Sequence, residues 1–557
     1  MRYRIIFIVV FSFLIASCAV SKKPIGDSTQ AAVNTIKAIP QFFEKQYPKP
    51  SISDTLKYIF SHLDPRKGNY SKLLRLYSKN DTNAIWNNDT VVTEGLKFLA
   101  SAKNHGLNPN EYGYQLIDSL YRLINSEGKT SLKNYVRLEL QLSHGLISYT
   151  EHLIHGKLNP NKYHPSWNYT RPYASNLDSV ILQKIKENNI ADLELQLEPE
   201  NANYLALKKE LQKYYALKSA GTVWKTIKYP GVTLKMGDSS LHVLQLKQRL
   251  KNQIAFNNST SLIFDSDLEQ ALKTFQQMHG LTADAIPGKN TYEFLGWSID
   301  RYMDALIVNL ERARWLDNES INAAMLVNIP GYQLWFKDGN SLMFSARLVV
   351  GKPKNETPVF QSNLNYMVFN PCWTVPNSIA TEKIIPKLLK DSLYLEKHNM
   401  FLGLNDVEQN MDSIDFSQLT TSNFHYKIYQ RAGFYNALGK VKFMFDNSYS
   451  IYLHDTPSKQ LFQKDRRALS QGCVRVQNAM DLAEIILTNQ VNQKFTTEEY
   501  LKKGYPVKAY LQTPLPLSIL YFTCFKNMET NQLQFFNDVY ARDLRVLLDL
   551  EKKTVDF

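Results

Sequence analysis

The hydrophobic period changes once along this chain, and that change limits the possible folds more than any other feature. From about residue 51 to 297 apolar residues recur at helical spacing, as in Leu96-Lys-Phe-Leu-Ala-Ser-Ala and Leu140-Gln-Leu-Ser-His-Gly-Leu-Ile-Ser-Tyr. Turns such as Gly106-Leu-Asn-Pro-Asn110 and Gly156-Lys-Leu-Asn-Pro160 stop these helices. From Ala324 the runs become short and rich in β-branched and aromatic residues: Ala324–Ile329, Tyr332–Lys337, Leu342–Val350 and Val441–Phe445. Asp338-Gly339 between two of them marks a hairpin. A chain of 557 residues is several times the ~100–200 of a single domain. The expected class is therefore α+β and multidomain, with a helical scaffold ahead of a β-rich domain.

The boundaries read as follows: a leader at 1–18, a linker at 19–50, a helical scaffold at 51–233, a second helical unit at 234–297, a linking helix at 298–323, the β-rich domain at 324–515 and a C-terminal segment at 516–557. A long polar stretch at about 378–440 interrupts the strands and reads as a lid. In the second unit, Val243–Leu250, Leu268–Leu281 and Pro287–Leu295 give three short amphipathic helices punctuated by Gly280 and Gly288. Their order and spacing resemble the three-helix peptidoglycan-binding module, except that Gln253–Phe264 lacks the usual glycine.

Met1-Arg-Tyr-Arg4 is a basic start, and the apolar run Ile5–Ala16 is too short for the ~20 residues of a bilayer span. Ile15-Ala-Ser-Cys18 resembles the bacterial lipoprotein cleavage box, which implies a lipidated Cys18 and export to the periplasm; Ala19 favours the outer membrane. The net charge of +13 is scattered, a diffuse field suited to polyanions. No basic helix interleaved with stacking aromatics points to nucleic acid, and neither metal nor nucleotide motifs call for a cofactor. Of the four cysteines, an odd number remains once Cys18 is acylated, so at least one thiol stays free. Cys372 and Cys524 read as buried singletons, with pairing the alternative.

The chemistry concentrates near the C-terminus. Ile451-Tyr-Leu-His454 ends a strand whose period of two puts Tyr452 and His454 on one face. Nineteen positions later, Ser470-Gln-Gly-Cys473-Val-Arg475 returns a cysteine ahead of a helix that starts near Asn478. Free cysteine titrates near ~8.5, so a nucleophile needs a base or positive surroundings, and His454 is the natural base.

The spacing H-x(15)-S-x-G-C-V-R resembles the L,D-transpeptidase catalytic motif. Val327-Asn-Ile-Pro330, Val349-Val-Gly-Lys352, Thr357-Pro-Val-Phe360, Phe369-Asn-Pro371, Trp373-Thr-Val-Pro376 and Asn436-Ala-Leu-Gly439 reinforce it. With the upstream helices, the chain resembles the large multidomain branch of that family. The resemblance implies that Cys473 attacks a tetrapeptide stem of peptidoglycan, expels D-alanine and leaves a thioester. A diaminopimelate amine would resolve it as a 3→3 cross-link, while His454 moves protons. Oxyanion donors would be the Cys473 and Gly472 backbone N–H groups and the Tyr452 hydroxyl. Ser470, Arg475, Trp373 and Asn370 become candidate substrate contacts, though Arg475 could equally brace its loop and an aromatic at Trp373 is more often core. Gln471 stands where many relatives have His, and Gly433-Phe-Tyr-Asn436 lacks an expected proline. Carbapenems would be covalent inhibitors. An L,D-carboxypeptidase with water as acceptor and a non-catalytic wall tether are the competing readings.

Overall fold

The computed structural model describes residues 51–62, 70–126, 131–169, 176–254, 257, 260–404, 407–418, 423–490 and 495–552. The leader, Cys18 and the linker at 19–50 lie outside the described residues. Among those described, no helix is long and apolar enough to cross a membrane.

The chain divides into two compact units. The first takes residues up to Asn87 together with Leu116–His144. Its helices α1 (Ile52–His62) and α2 (Tyr70–Ser78) bury Leu56, Ile59, Leu73 and Leu76. One buried carboxylate organises the rest. Glu139 accepts from Tyr77 Oη at 2.7 Å, Ile85 N at 2.6 Å and Trp86 N at 3.1 Å, while the Trp86 indole donates to Ser143. Burial raises the Glu139 carboxyl above its usual range, and these donors offset the cost of enclosing it.

The second unit holds Asn88–Gln115 and Gly145–Lys553. Helix α3 (Ala202–Ser219) packs on α7 (Ile299–Arg314), joining Tyr204, Leu211 and Tyr214 to Tyr302, Leu306 and Leu310 in one core. The three short helices of the sequence reading appear between them as α4 (Leu241–Leu250), α5 (Ser266–Met278) and α6 (Lys289–Leu295). Ser240 and Asp265 cap the first two, accepting from Val243 N at 3.3 Å and Leu268 N at 3.0 Å. Arg249, almost wholly buried, donates to the Leu295 and Trp297 carbonyls at 3.0 and 3.1 Å and so ties α4 to the end of α6. In the segment without the usual glycine, Ser239 bridges Ile263 and Phe264 N reaches Asp238 O at 2.8 Å.

The β-rich part is a nine-stranded sheet, β11-β3-β12-β10-β9-β4-β13-β1-β2, whose circuit closes because β2 also pairs with β3. Its strands are β1 (Met325–Asn328), β2 (Gln333–Asp338), β3 (Ser341–Gly351), β4 (Phe360–Phe369), β9 (Val441–Phe445), β10 (Leu453–His454), β11 (Ala468–Ser470), β12 (Val474–Val476) and β13 (Val507–Leu520). The β2–β3 hairpin turns at Asp338-Gly339, with Gly339 at φ +54°, as expected from the sequence. Met367, Phe369, Phe443, Leu453, Val474 and Ala509 alternate onto one face and join the core of helix α8 (Ala479–Gln490). The other face of these strands carries the site. Strand β13 continues past residue 515, so the C-terminal segment begins inside the sheet.

Between β4 and β9 the chain builds a separate small sheet, β5-β8-β6-β7, from β5 (Trp373–Val375), β6 (Met400–Leu404), β7 (Val407–Glu408) and β8 (Lys427–Gln430). Val375, Ile384, Ile385, Leu388, Leu402 and Ile428 form its own core. The stretch read as a polar lid is thus a folded subdomain, and its first strand precedes residue 378. The Asn436 amide holds its return, donating to the Pro371, Gln430 and Arg431 carbonyls at 3.0, 3.2 and 2.9 Å.

Candidate active site

Parallel pairing of β10 with β12 sets Leu453 against Val474 and His454 against Arg475. Leu453 and Val474 are wholly buried in the core, so Tyr452, His454, Cys473 and Arg475 share the opposite face. The loop that delivers the cysteine is held by hydrogen bonds to its own backbone. Ser470 Oγ donates to Cys473 O at 2.6 Å and accepts from Gly472 N at 3.1 Å. Thr357 Oγ1 donates to Gly472 O at 2.7 Å and accepts from Gly351 N at 2.9 Å. Gly472 sits at φ +122°, a conformation that excludes a side chain.

Cys473 Sγ is partly buried and lies 3.7 Å from Ser450 O. The Tyr452 backbone N–H and hydroxyl favour the thiolate form of the sulfur. Tyr452 and His454 meet edge to face, with centroids 5.6 Å apart. His454 is 4% exposed, and its Nδ1 is 2.5 Å from Asp455 O. A carbonyl can only accept, so Nδ1 carries the proton and Nε2 keeps its lone pair, the tautomer a general base needs. Asp455 is fixed in turn: its carboxylate accepts from Lys440 N at 2.9 Å and pairs with Lys459. Gly439, at φ +63°, leaves room for that carboxylate.

The electrostatics correct one expectation. Burial, with Arg475 next, lowers the His454 pKa to about 3, and burial raises the Cys473 thiol above its ordinary value. No hydrogen bond joins sulfur to imidazole. Enclosure penalises both charged forms, so it favours a neutral thiol and a neutral imidazole on this face over a standing thiolate. Arg475 and Lys442 act in the other direction on the sulfur, favouring negative charge in the pocket.

Four further expectations change. The Gly472 N–H is occupied by Ser470, whereas the Cys473 N–H has no partner among the described residues and remains open to an oxyanion. Ser470, 3% exposed, braces the loop and does not face substrate. Asn370, at φ +50°, turns the end of β4 and donates to Tyr500 O and Leu501 O at 3.2 and 3.1 Å, so it too is structural. Cys372 is exposed, while Cys524 is fully buried, and both are free. Trp373 packs partly buried against the lid core. Arg475 lies on the same face as His454 and has a buried, unpartnered Nε.

Lys442 escaped the sequence reading. It lies opposite His454 on β9 with its ammonium 5.6 Å from the Tyr452 ring centroid. The alternation of Val441–Phe445 placed it on the polar side of a strand, but only strand register could bring that strand beside His454. The His105, Glu194 and Glu198 cluster elsewhere has metal-ligand spacing, yet Lys208 pairs with both glutamates and takes the place of a cation.

Residues 322–507 match the family described as L,D-transpeptidase catalytic domain. That segment is similar to an L,D-transpeptidase catalytic domain. Beside that domain, residues 71–211 match the family described as scaffold domain, and 239–295 match the "Putative peptidoglycan binding domain". A Haemophilus influenzae protein named "Putative L,D-transpeptidase" is 33% identical over 256 residues, 44% of this chain and 51% of that protein. The chain spans about half the length of this curated relative. A solved L,D-transpeptidase structure from Xylanimonas cellulosilytica aligns with 53% of this chain and 99% of its own at 13% identity and a TM-score of 0.18. The α+β multidomain class and the L,D-transpeptidase resemblance of the sequence reading both hold.

Proposed function

We propose that this chain is a peptidoglycan L,D-transpeptidase with Cys473 as nucleophile. The observation that carries the reading is the shared face of β10 and β12, where a half-buried thiol, an imidazole with a free Nε2 and an unpartnered Cys473 N–H converge. Sγ attacks the carbonyl at the L-centre of diaminopimelate in a tetrapeptide stem, and its proton passes to His454 Nε2. The Cys473 N–H and Tyr452 hydroxyl receive the developing oxyanion, an interaction worth about 10²–10³ in rate per donor. As the C–N bond breaks, His454 returns the proton to the departing D-alanine amine. A diaminopimelate side-chain amine then attacks the thioester, His454 takes the amine's proton, and the thiol is restored with a 3→3 cross-link formed. Lipidation at Cys18, an outer-membrane anchor in the periplasm and capture of the wall by residues 239–295 complete the proposal.

Incubating the purified chain with tetrapeptide stems should add the mass of a tripeptide-stem acyl group at Cys473, and dimers should appear in the product chromatogram. A carbapenem should form an adduct at the same residue, and Cys473→Ala should abolish both. Tripeptide monomers without dimers would instead make water the acceptor. Muropeptides left unchanged by Cys473→Ala would leave only a wall tether.

A further inference from the structure

The sheet face that carries Cys473 extends well beyond it, and strand register arranges that face in two rows. One row runs Arg475, His454, Lys442, Val368, Lys508 across β12, β10, β9, β4 and β13. The adjacent row runs Cys473, Tyr452, Met444, Tyr366, Tyr510 across the same strands. Neighbouring strands lie ~4.8 Å apart, so the three cations of the first row recur at intervals of roughly 10 Å.

Three observations make this row more than a solvated strand face. First, neither Arg475, Lys442 nor Lys508 has an ion-pair partner among the described residues. Second, Lys442 and Lys508 are close enough to repel, and Lys442, half-buried, is held below the usual lysine range chiefly by burial, with Cys372 acting against the shift and the like charge of Lys508 adding to it. Like charges gathered without counter-charges cost free energy unless a ligand supplies them. Third, Lys508 sits over both rings of the Tyr366–Tyr510 pair, at 5.1 and 5.9 Å, and the rings are 5.2 Å apart with Tyr510 58% exposed. The outer end of the row is therefore an exposed cation on an aromatic floor.

We propose that Arg475, Lys442 and Lys508 form a rail for the free carboxylates of an anionic stem peptide, with Tyr366 and Tyr510 as its floor. This deepens the transpeptidase reading and rests on it for the identity of the ligand. The rail makes the enzyme selective for stems whose carboxylates are free over stems in which they are amidated. Extended peptide rises ~3.3 Å per residue, so successive cations would meet carboxylates about three backbone units apart.

The test separates binding from chemistry. Calorimetry on the full chain carrying Cys473→Ala, with free-acid and amidated tetrapeptide stems, should show at least about tenfold tighter binding of the free acid. Lys508→Gln should weaken the free acid about fivefold while leaving the amidated stem unchanged, Lys508→Arg should restore it, and Lys442→Gln with Lys508→Gln should erase the preference. Equal affinity for the two stems, or equal loss for both in Lys508→Gln, overturns the rail. Acylation of the wild-type chain is scored separately. Acylation without a free-acid preference refutes the rail alone, and a preference without acylation refutes the enzyme reading while the carboxylate site stands.

Discussion

An imidazole kept neutral by its surroundings constrains both the rate and the stability of the molecule. With its pKa near 3, His454 stays unprotonated far into acid, so no acid limb from this imidazole should be seen in acylation above about pH 4. Acylation should climb with alkalinity as the raised Cys473 thiol ionises, which kcat/KM against pH will show. Stability also falls on the acid side. The unfolded histidine takes its proton near ~6.5, so the folded state is favoured fully above that value and loses ground as pH falls toward 3. In a His454→Gln chain that part of the acid destabilisation should vanish, measurable as a flatter melting temperature against pH. Gly439→Ala would force a Cβ into the Asp455 carboxylate at a positive φ. It should cost about 1–3 kcal/mol in melting experiments and displace the His454 acceptor.

At the level of elements, the side-chain amides of Asn436 and Gln430 fasten the return of the subdomain between β4 and β9. Asn436→Ala leaves the Pro371, Gln430 and Arg431 carbonyls without this donor, and a loss of about 1–3 kcal/mol follows. Limited proteolysis should then cut within 370–440 while the main sheet survives. This subdomain was the least legible part of the sequence. Its strands span two to five residues and its core residues are spread among polar ones, so period alone could not distinguish it from a loop. The hairpin at Asp338-Gly339 and the three helices within 239–295 were legible because turn chemistry and spacing are local. So was the pairing of Tyr452 with His454 on one face, a consequence of the strand period. The roles of Ser470, Asn370 and Lys442 were not, because each depends on which distant backbone or strand comes alongside.

On the scale of the molecule, the three cysteines outside the leader separate by depth. A thiol reagent should modify Cys372 at once and Cys473 more slowly, and reach Cys524 only on unfolding; a Cys524 that reacts in the native chain would contradict the packing. The helical module and the catalytic sheet meet where Asp465, in the loop between His454 and Cys473, accepts from Thr282 N, Thr282 Oγ1 and Asn290 Nδ2, each at 3.0 Å. Arg466 pairs with Glu293 beside it. Residues within the peptidoglycan-binding family match therefore hold the segment leading to Cys473. Replacing that module with an unrelated one would do more than redirect the protein to a different address: it would unfasten the stretch of chain on which the sulfur arrives, so delivery and reactivity must be inherited together.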